Sequence, residues 1–119
     1  MADRSYRIRV LDIIDEINAV EQIRQGKDFD AYTREVVTRR AIERCVEIIS
    51  EASRHIPDDV KANYPSVPWH KIRAIGNLLR HEYGRVEDLV IWRIAEASLP
   101  DLKPVMTKIL AGLPEEVDD

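Results

Sequence analysis

The 119-residue chain predicts an all-α fold, an antiparallel bundle of four to five helices. Three observations carry this expectation. Apolar residues recur every three or four positions through several long segments, the interval that lines one face of a helix. Glycine and proline are sparse, at 4 and 6 residues, and aromatics make up only 6%, too few turn and strand formers for a many-stranded β architecture. Hydrophobic residues at 45% with charged residues at 34% describe one globular domain rather than a disordered chain.

The first helix covers about Ser5 to Ile23. Ile8, Leu11, Ile14, Ile17 and Val20 repeat every three residues, and Val10, Ile13 and Ile23 widen the stripe. Gln25-Gly26-Lys27 ends it, since glycine takes a left-handed backbone beyond a helix end at low cost. Phe29 and Tyr32 are expected in a short turn that pins the loop. A second long helix runs from about Thr33 to His55. Val36, Val37, Ala41, Cys45, Ile48, Ile49 and Ala52 lie near one side, with Arg34, Arg39, Glu43, Glu47 and Glu51 largely opposite. Pro57 stops it. Asp58 or Asp59 is the expected cap of a short third helix through Ala62, and Pro65-Ser66-Val67-Pro68 makes a stiff connector. The central helix starts at Trp69, where Pro68 suits the first turn, and closes at Gly84. Ile72, Ile75, Leu78 and Leu79 form its apolar stripe. Val86 to Ala97 reads as a further helix packing through Leu89, Val90, Trp92, Ile94 and Ala97. Leu99-Pro100 interrupts, and Asp101 to Leu110 is the last helix, ended by Ala111-Gly112. Residues 1–112 therefore read as one helical domain and 113–119 as an acidic, disordered tail.

The net charge is −4, and Glu115, Glu116, Asp118 and Asp119 alone supply that much. The folded body is thus near neutral, and local patches matter more than the sum. No run approaches the roughly 18–20 apolar residues of a membrane span. The opening MADRSYRIRV has no apolar core of the signal-peptide kind, and a single cysteine, Cys45, suits a reducing compartment. A cytoplasmic protein is expected. No His, Cys and carboxylate spacing suggests a metal site, and no cofactor is expected. His55 and His70 read as ordinary polar positions, Trp69 and Trp92 as packing residues, and Cys45 as a small buried hydrophobe. Arg39, Arg40 and Arg44, offset by Glu43 and Glu47, read as a solvated face.

The chemistry concentrates in Trp69 to Val86. Asn77 and His81 are four apart and share a helix face, Arg73 extends the row four residues earlier, and Arg80 and Tyr83 flank His81. Lys71, Arg73, Arg80 and Arg85 against Glu82 leave this stretch at +3. A positive island built around an imidazole and an amide is suited to a phosphate.

Several short stretches together carry a resemblance. They are Arg40-Ala41-Ile42-Glu43 with Glu51-Ala52, Tyr64-Pro65 with Pro68-Trp69, Gly76-Asn77-Leu78-Leu79-Arg80-His81-Glu82-Tyr83, and Val90-Ile91-Trp92 with Leu99-Pro100-Asp101-Leu102. From about Leu11 to Met106 the chain resembles the HepT-like branch of the HEPN superfamily, small all-helical ribonucleases on the toxin side of toxin–antitoxin pairs. That family's site is an arginine, four residues, a histidine, one residue and a tyrosine, often with a polar residue after the arginine. His81, Tyr83 and Asn77 match; Gly76 stands where the arginine belongs. Arg73 and Arg80, three before and four after Gly76, are the candidate replacements.

The resemblance implies a homodimer with the two central helices facing a shared cleft, and metal-independent cleavage of RNA by attack of the ribose 2′-hydroxyl on the adjacent phosphate. His81 would act as general base or acid, because an imidazole titrates near neutral pH. Asn77 would orient the histidine or a phosphate oxygen, and Arg73 or Arg80 would stabilise charge on the phosphorane. It also implies a minimal nucleotidyltransferase antitoxin that attaches nucleotide to Tyr83. The competing expectation is a binding or regulatory subunit of the same complex that has lost cleavage through Gly76.

Overall fold

The computed structural model describes residues 5–81 and 86–114. All regular structure in these residues is helical: α1 (Ser5–Arg24), α2 (Phe29–Arg34), α3 (Val36–Ser53), α4 (Asp58–Lys61), α5 (Trp69–His81), α6 (Asp88–Arg93), a π-helical turn (Ile94–Ser98) and α7 (Leu99–Ala111). Four longer helices carry the bundle, and α2, α4 and α6 are short. The expected all-α bundle is the fold. None of the helices among the described residues is long and apolar enough to cross a membrane.

Helix α3 is the axis. It packs against α1 and α5 most extensively, and also against α2 and α6, while α1 packs in turn on α7. The buried ridge of α1 is Val10, Ile13, Ile17 and Val20, not the every-third-residue stripe expected. A three-residue step falls about 60° short of a full turn, so a strict period of three winds around the helix, whereas alternating steps of three and four stay on one side. Ile8 is accordingly 47% exposed. In α3 the buried row is Ile42, Cys45, Val46, Ile49 and Ala52.

The long helix expected from Thr33 to His55 is two helices. Asp28 caps α2, its carboxylate accepting a hydrogen bond from the Ala31 N–H at 2.9 Å, so Phe29 and Tyr32 lie in a helix rather than in a turn. The backbone opens at Glu35 (φ −104°, ψ 99°) before α3 begins. Glu35 there accepts from Lys27 Nζ at 2.5 Å and from Thr38 Oγ1 at 2.9 Å. Both contacts hold its carboxyl below the usual carboxylate range. Restarting the helix leaves its first turn beyond the core, so Val36 and Val37 are exposed, Val37 at 79%. Gly26 has φ +72°, the left-handed backbone expected of a residue just past α1. Pro57, not an aspartate, occupies the cap of α4, with no side-chain hydrogen bond.

Past residue 86 the two expected helices are one continuous path. The π turn joins α6 to α7, with the Leu99 N–H donating to the carbonyl of Ile94. Leu99-Pro100 starts α7 rather than interrupting it, because proline in the first turn removes an N–H that has no helical partner. Leu99, Leu102, Met106 and Ile109 of α7 are buried with Ile91, Trp92 and Ala95. Trp92 packs near Tyr32, ring centroids 5.4 Å apart, and the Arg24 guanidinium lies over it at 5.2 Å. Leu89 and Val90, expected to pack, are exposed.

Candidate functional site

Helix α5 presents the predicted polar face. Its inward side is Leu79 and Gly76, both buried, with Ile72 and Ile75 half-buried; Leu78 is exposed although it belongs to the expected stripe. Arg73, Asn77 and His81 are exposed along one side, as their three- and four-residue spacing dictates. His81 is the last described residue of the helix. Tyr83, the expected modification site, and Gly84, the expected helix stop, lie outside the described residues.

Arg80 and Asn77 are brought together: Arg80 Nη2 donates to Asn77 Oδ1 at 2.5 Å. Arg80 Nη1 reaches across to α3 and donates to Glu51 Oε2 at 3.4 Å. Arg73 contributes its backbone instead, its carbonyl accepting from Ser50 Oγ at 3.2 Å. Of the two candidate replacements for the family arginine, Arg80 is the one fixed next to Asn77.

Gly76 has a steric reason. A Cβ built there would stand 2.0 Å from Ser50 Oγ and 2.5 Å from Ser50 Cβ, far inside any real contact. Ser50 therefore lies directly on the backbone of α5 between Arg73 and Gly76. A side chain at position 76 would be driven into α3, not toward the exposed face. This close approach spans 26 positions of sequence and has no local signal.

Two concavities flank α5. Against α1 and α3, a recess of about 450 Å³ sets Arg9, Arg44, Arg54 and Arg80 against the carboxylates of Asp12, Glu47 and Glu51. On the opposite side, an apolar groove of about 670 Å³ runs between α5 and the α6–α7 path, lined by Ile72, Ile75, Val90, Ile94, Leu102 and Val105 among others. Leu78 continues the Ile75 row beyond it. Cys45 is no nucleophile: burial, and Glu16 beside it, push its thiol up to about 12. Among the described residues, no three His, Cys, Asp or Glu side chains are grouped so as to hold a metal ion. Glu51 is the residue that sequence reading missed. Its spacing puts it on the polar side of α3, but its contact with Arg80 crosses to another helix.

A model of the ribonuclease HepT-like family matches residues 13–109 of the chain. The chain belongs to the ribonuclease HepT-like family. A Methanocaldococcus jannaschii protein named "Putative RNase MJ1380" is 30% identical over 103 residues, 87% of this chain and 94% of that protein. "Probable ribonuclease HepT" of Thermococcus cleftensis is 31% identical over 106 residues, covering 89% of this chain and 96% of the relative. A further M. jannaschii protein, "Putative RNase MJ0125", is 27% identical over 116 residues, 98% of this chain and all of its own length. No solved structure matches at a significant level. The matched region runs from the middle of α1 through most of α7, so the polar face of α5 and the α3 surface beside it both fall within it.

Proposed function

We propose that the chain is a metal-independent endoribonuclease, the toxin of a toxin–antitoxin pair acting in the cytoplasm. The observation that carries this reading is the exposed face of α5, where a guanidinium is tied to Asn77 at 2.5 Å next to the exposed His81, in a chain of a ribonuclease family. His81 takes the proton from the ribose 2′-hydroxyl as it attacks phosphorus, or returns one to the departing 5′-oxygen. The products are a 2′,3′-cyclic phosphate and a 5′-hydroxyl, and no water is consumed in this step. Arg80 neutralises the phosphorane oxygens, and Asn77 aims the guanidinium. Arg73, one turn before Asn77, binds a neighbouring phosphate.

The working form is a homodimer in which α5 of each copy borders the shared RNA cleft. The apolar groove beside α5, with exposed Val90 in its lining and exposed Leu78 one turn beyond Ile75, supports an assembly on that side. A minimal nucleotidyltransferase serves as antitoxin by modifying Tyr83.

The test is cleavage of single-stranded RNA in the presence of chelator. Wild type is expected to cleave, and His81→Ala to lose about a hundredfold or more. Equal activity in both removes the reading. The second reading, a subunit that binds its partner without cleaving, is favoured by the observation that Gly76 leaves no room for the family arginine. Nucleotide transfer to Tyr83 by a cognate nucleotidyltransferase, with no cleavage by wild type at high concentration, would establish it instead.

A further inference from the structure

We propose that Glu51 on α3 is a positioning residue, which fixes the Arg80 guanidinium over the Asn77–His81 face. The inference rests on the ribonuclease reading for its catalytic consequence, and on geometry alone for the contact itself.

Ser50 is locked against α5 by its hydrogen bond to the Arg73 carbonyl and by the absent side chain of Gly76. That contact sets the register of α3 on α5. The next residue in α3 is Glu51, and it meets Arg80 one turn beyond Gly76. The guanidinium is therefore gripped at both ends, Nη1 by a carboxylate of α3 and Nη2 by the Asn77 amide oxygen of its own helix. A guanidinium has five N–H donors. Two hold it in place, and three remain for a phosphate.

The pair is a weak source of stability, since the side chains of Arg80 and Glu51 are 29% and 49% exposed. Its value is directional. The same carboxylate also stands 3.8 Å from Arg54 Nη1 and 4.0 Å from His55 Nε2. One acidic group serves two arginines and an imidazole, so it orients Arg80 without cancelling the positive charge that a phosphodiester meets. An arginine four residues displaced from the family position needs an outside support of this kind, because bidentate contact with phosphate is demanding in angle.

The experiment is a cycle of Glu51→Gln, Arg80→Ala and the double variant, read as kcat and KM on single-stranded RNA and as the 15N–1H resonances of the Arg80 guanidinium. Glu51→Gln keeps the size of the side chain at a half-exposed site and is expected to fold. It should lower kcat about tenfold with KM within about twofold, and should cost nothing further once Arg80 is alanine. Glu51→Asp should recover part of the loss. In the spectrum, Arg80 signals that are slow to rotate in wild type should shift and broaden in Glu51→Gln. An equal loss in both backgrounds, or Arg80 signals unchanged by Glu51→Gln, overturns the assignment. If wild type itself does not cleave RNA, the ribonuclease reading fails separately, and the guanidinium signals alone decide whether Glu51 holds Arg80.

Discussion

Position 76 shows how one missing side chain governs the site. With Ser50 Oγ and Cβ at 2.0 and 2.5 Å from a built Cβ, Gly76→Ala is expected to destabilise the fold by about 2 kcal/mol through overpacking. Ser50→Gly in the same chain should recover more than half of that, because it removes both clashing atoms. Chemical denaturation of the two single variants and the double variant checks it, and additive losses would refute the contact. Gly76→Arg is expected to destabilise more severely and to gain no cleavage. Read in sequence alone, Gly76 is simply a missing family arginine. Its reason lies in Ser50, a residue of another helix with nothing in its own neighbourhood to announce the contact. Asn77 and His81 were legible because their partners in the pattern are one helical turn away. The Arg80–Glu51 link was not, for it spans 29 positions.

At the scale of elements, the joint between α2 and α3 carries one ionised carboxylate. Glu35 accepts from Lys27 and Thr38, and both contacts favour its charged form. Its folded value lies below the ordinary 4.5, so its stabilisation is complete above 4.5 and is lost as pH falls through the lowered value. Glu43 runs the other way, half-burial raising it, and offsets part of the acid loss. Glu35→Gln should therefore flatten the fall in melting temperature on acidification below about pH 4.5; parallel curves for variant and wild type would refute this. The break at Glu35 escaped the sequence because apolar periodicity continues across it, and only the extended backbone and the Lys27 clasp divide the helix. Pro100 misled in the opposite sense. A proline marks a boundary, but it suits the start of a helix as well as its end, and a π turn lets α6 run into α7 without a loop.

For the molecule as a whole, fold class was readable because long stripes, few glycines and few strand formers all point one way. Which surface remains open was not, since that depends on how α5 and α7 are spaced around α3. The apolar groove between them and the exposed Leu78 and Val90 bear on assembly. On the proposed homodimer, Leu78→Glu is expected to shift the mass from dimer to monomer in sedimentation velocity at micromolar concentration, with helical content unchanged. Unaltered mass would separate Leu78 from the subunit contact.

The helix that bears the imidazole is moored to the rest of the chain chiefly along its seam with α3. Helix α1 joins α3 to α7, and α7 leans on α1 and continues back into the π turn. A helix held along one seam opens along that seam first, so warming is expected to loosen α5 from α3. Heat would silence such a protein while most of its helical content survives, and cooling would restore it without refolding from scratch.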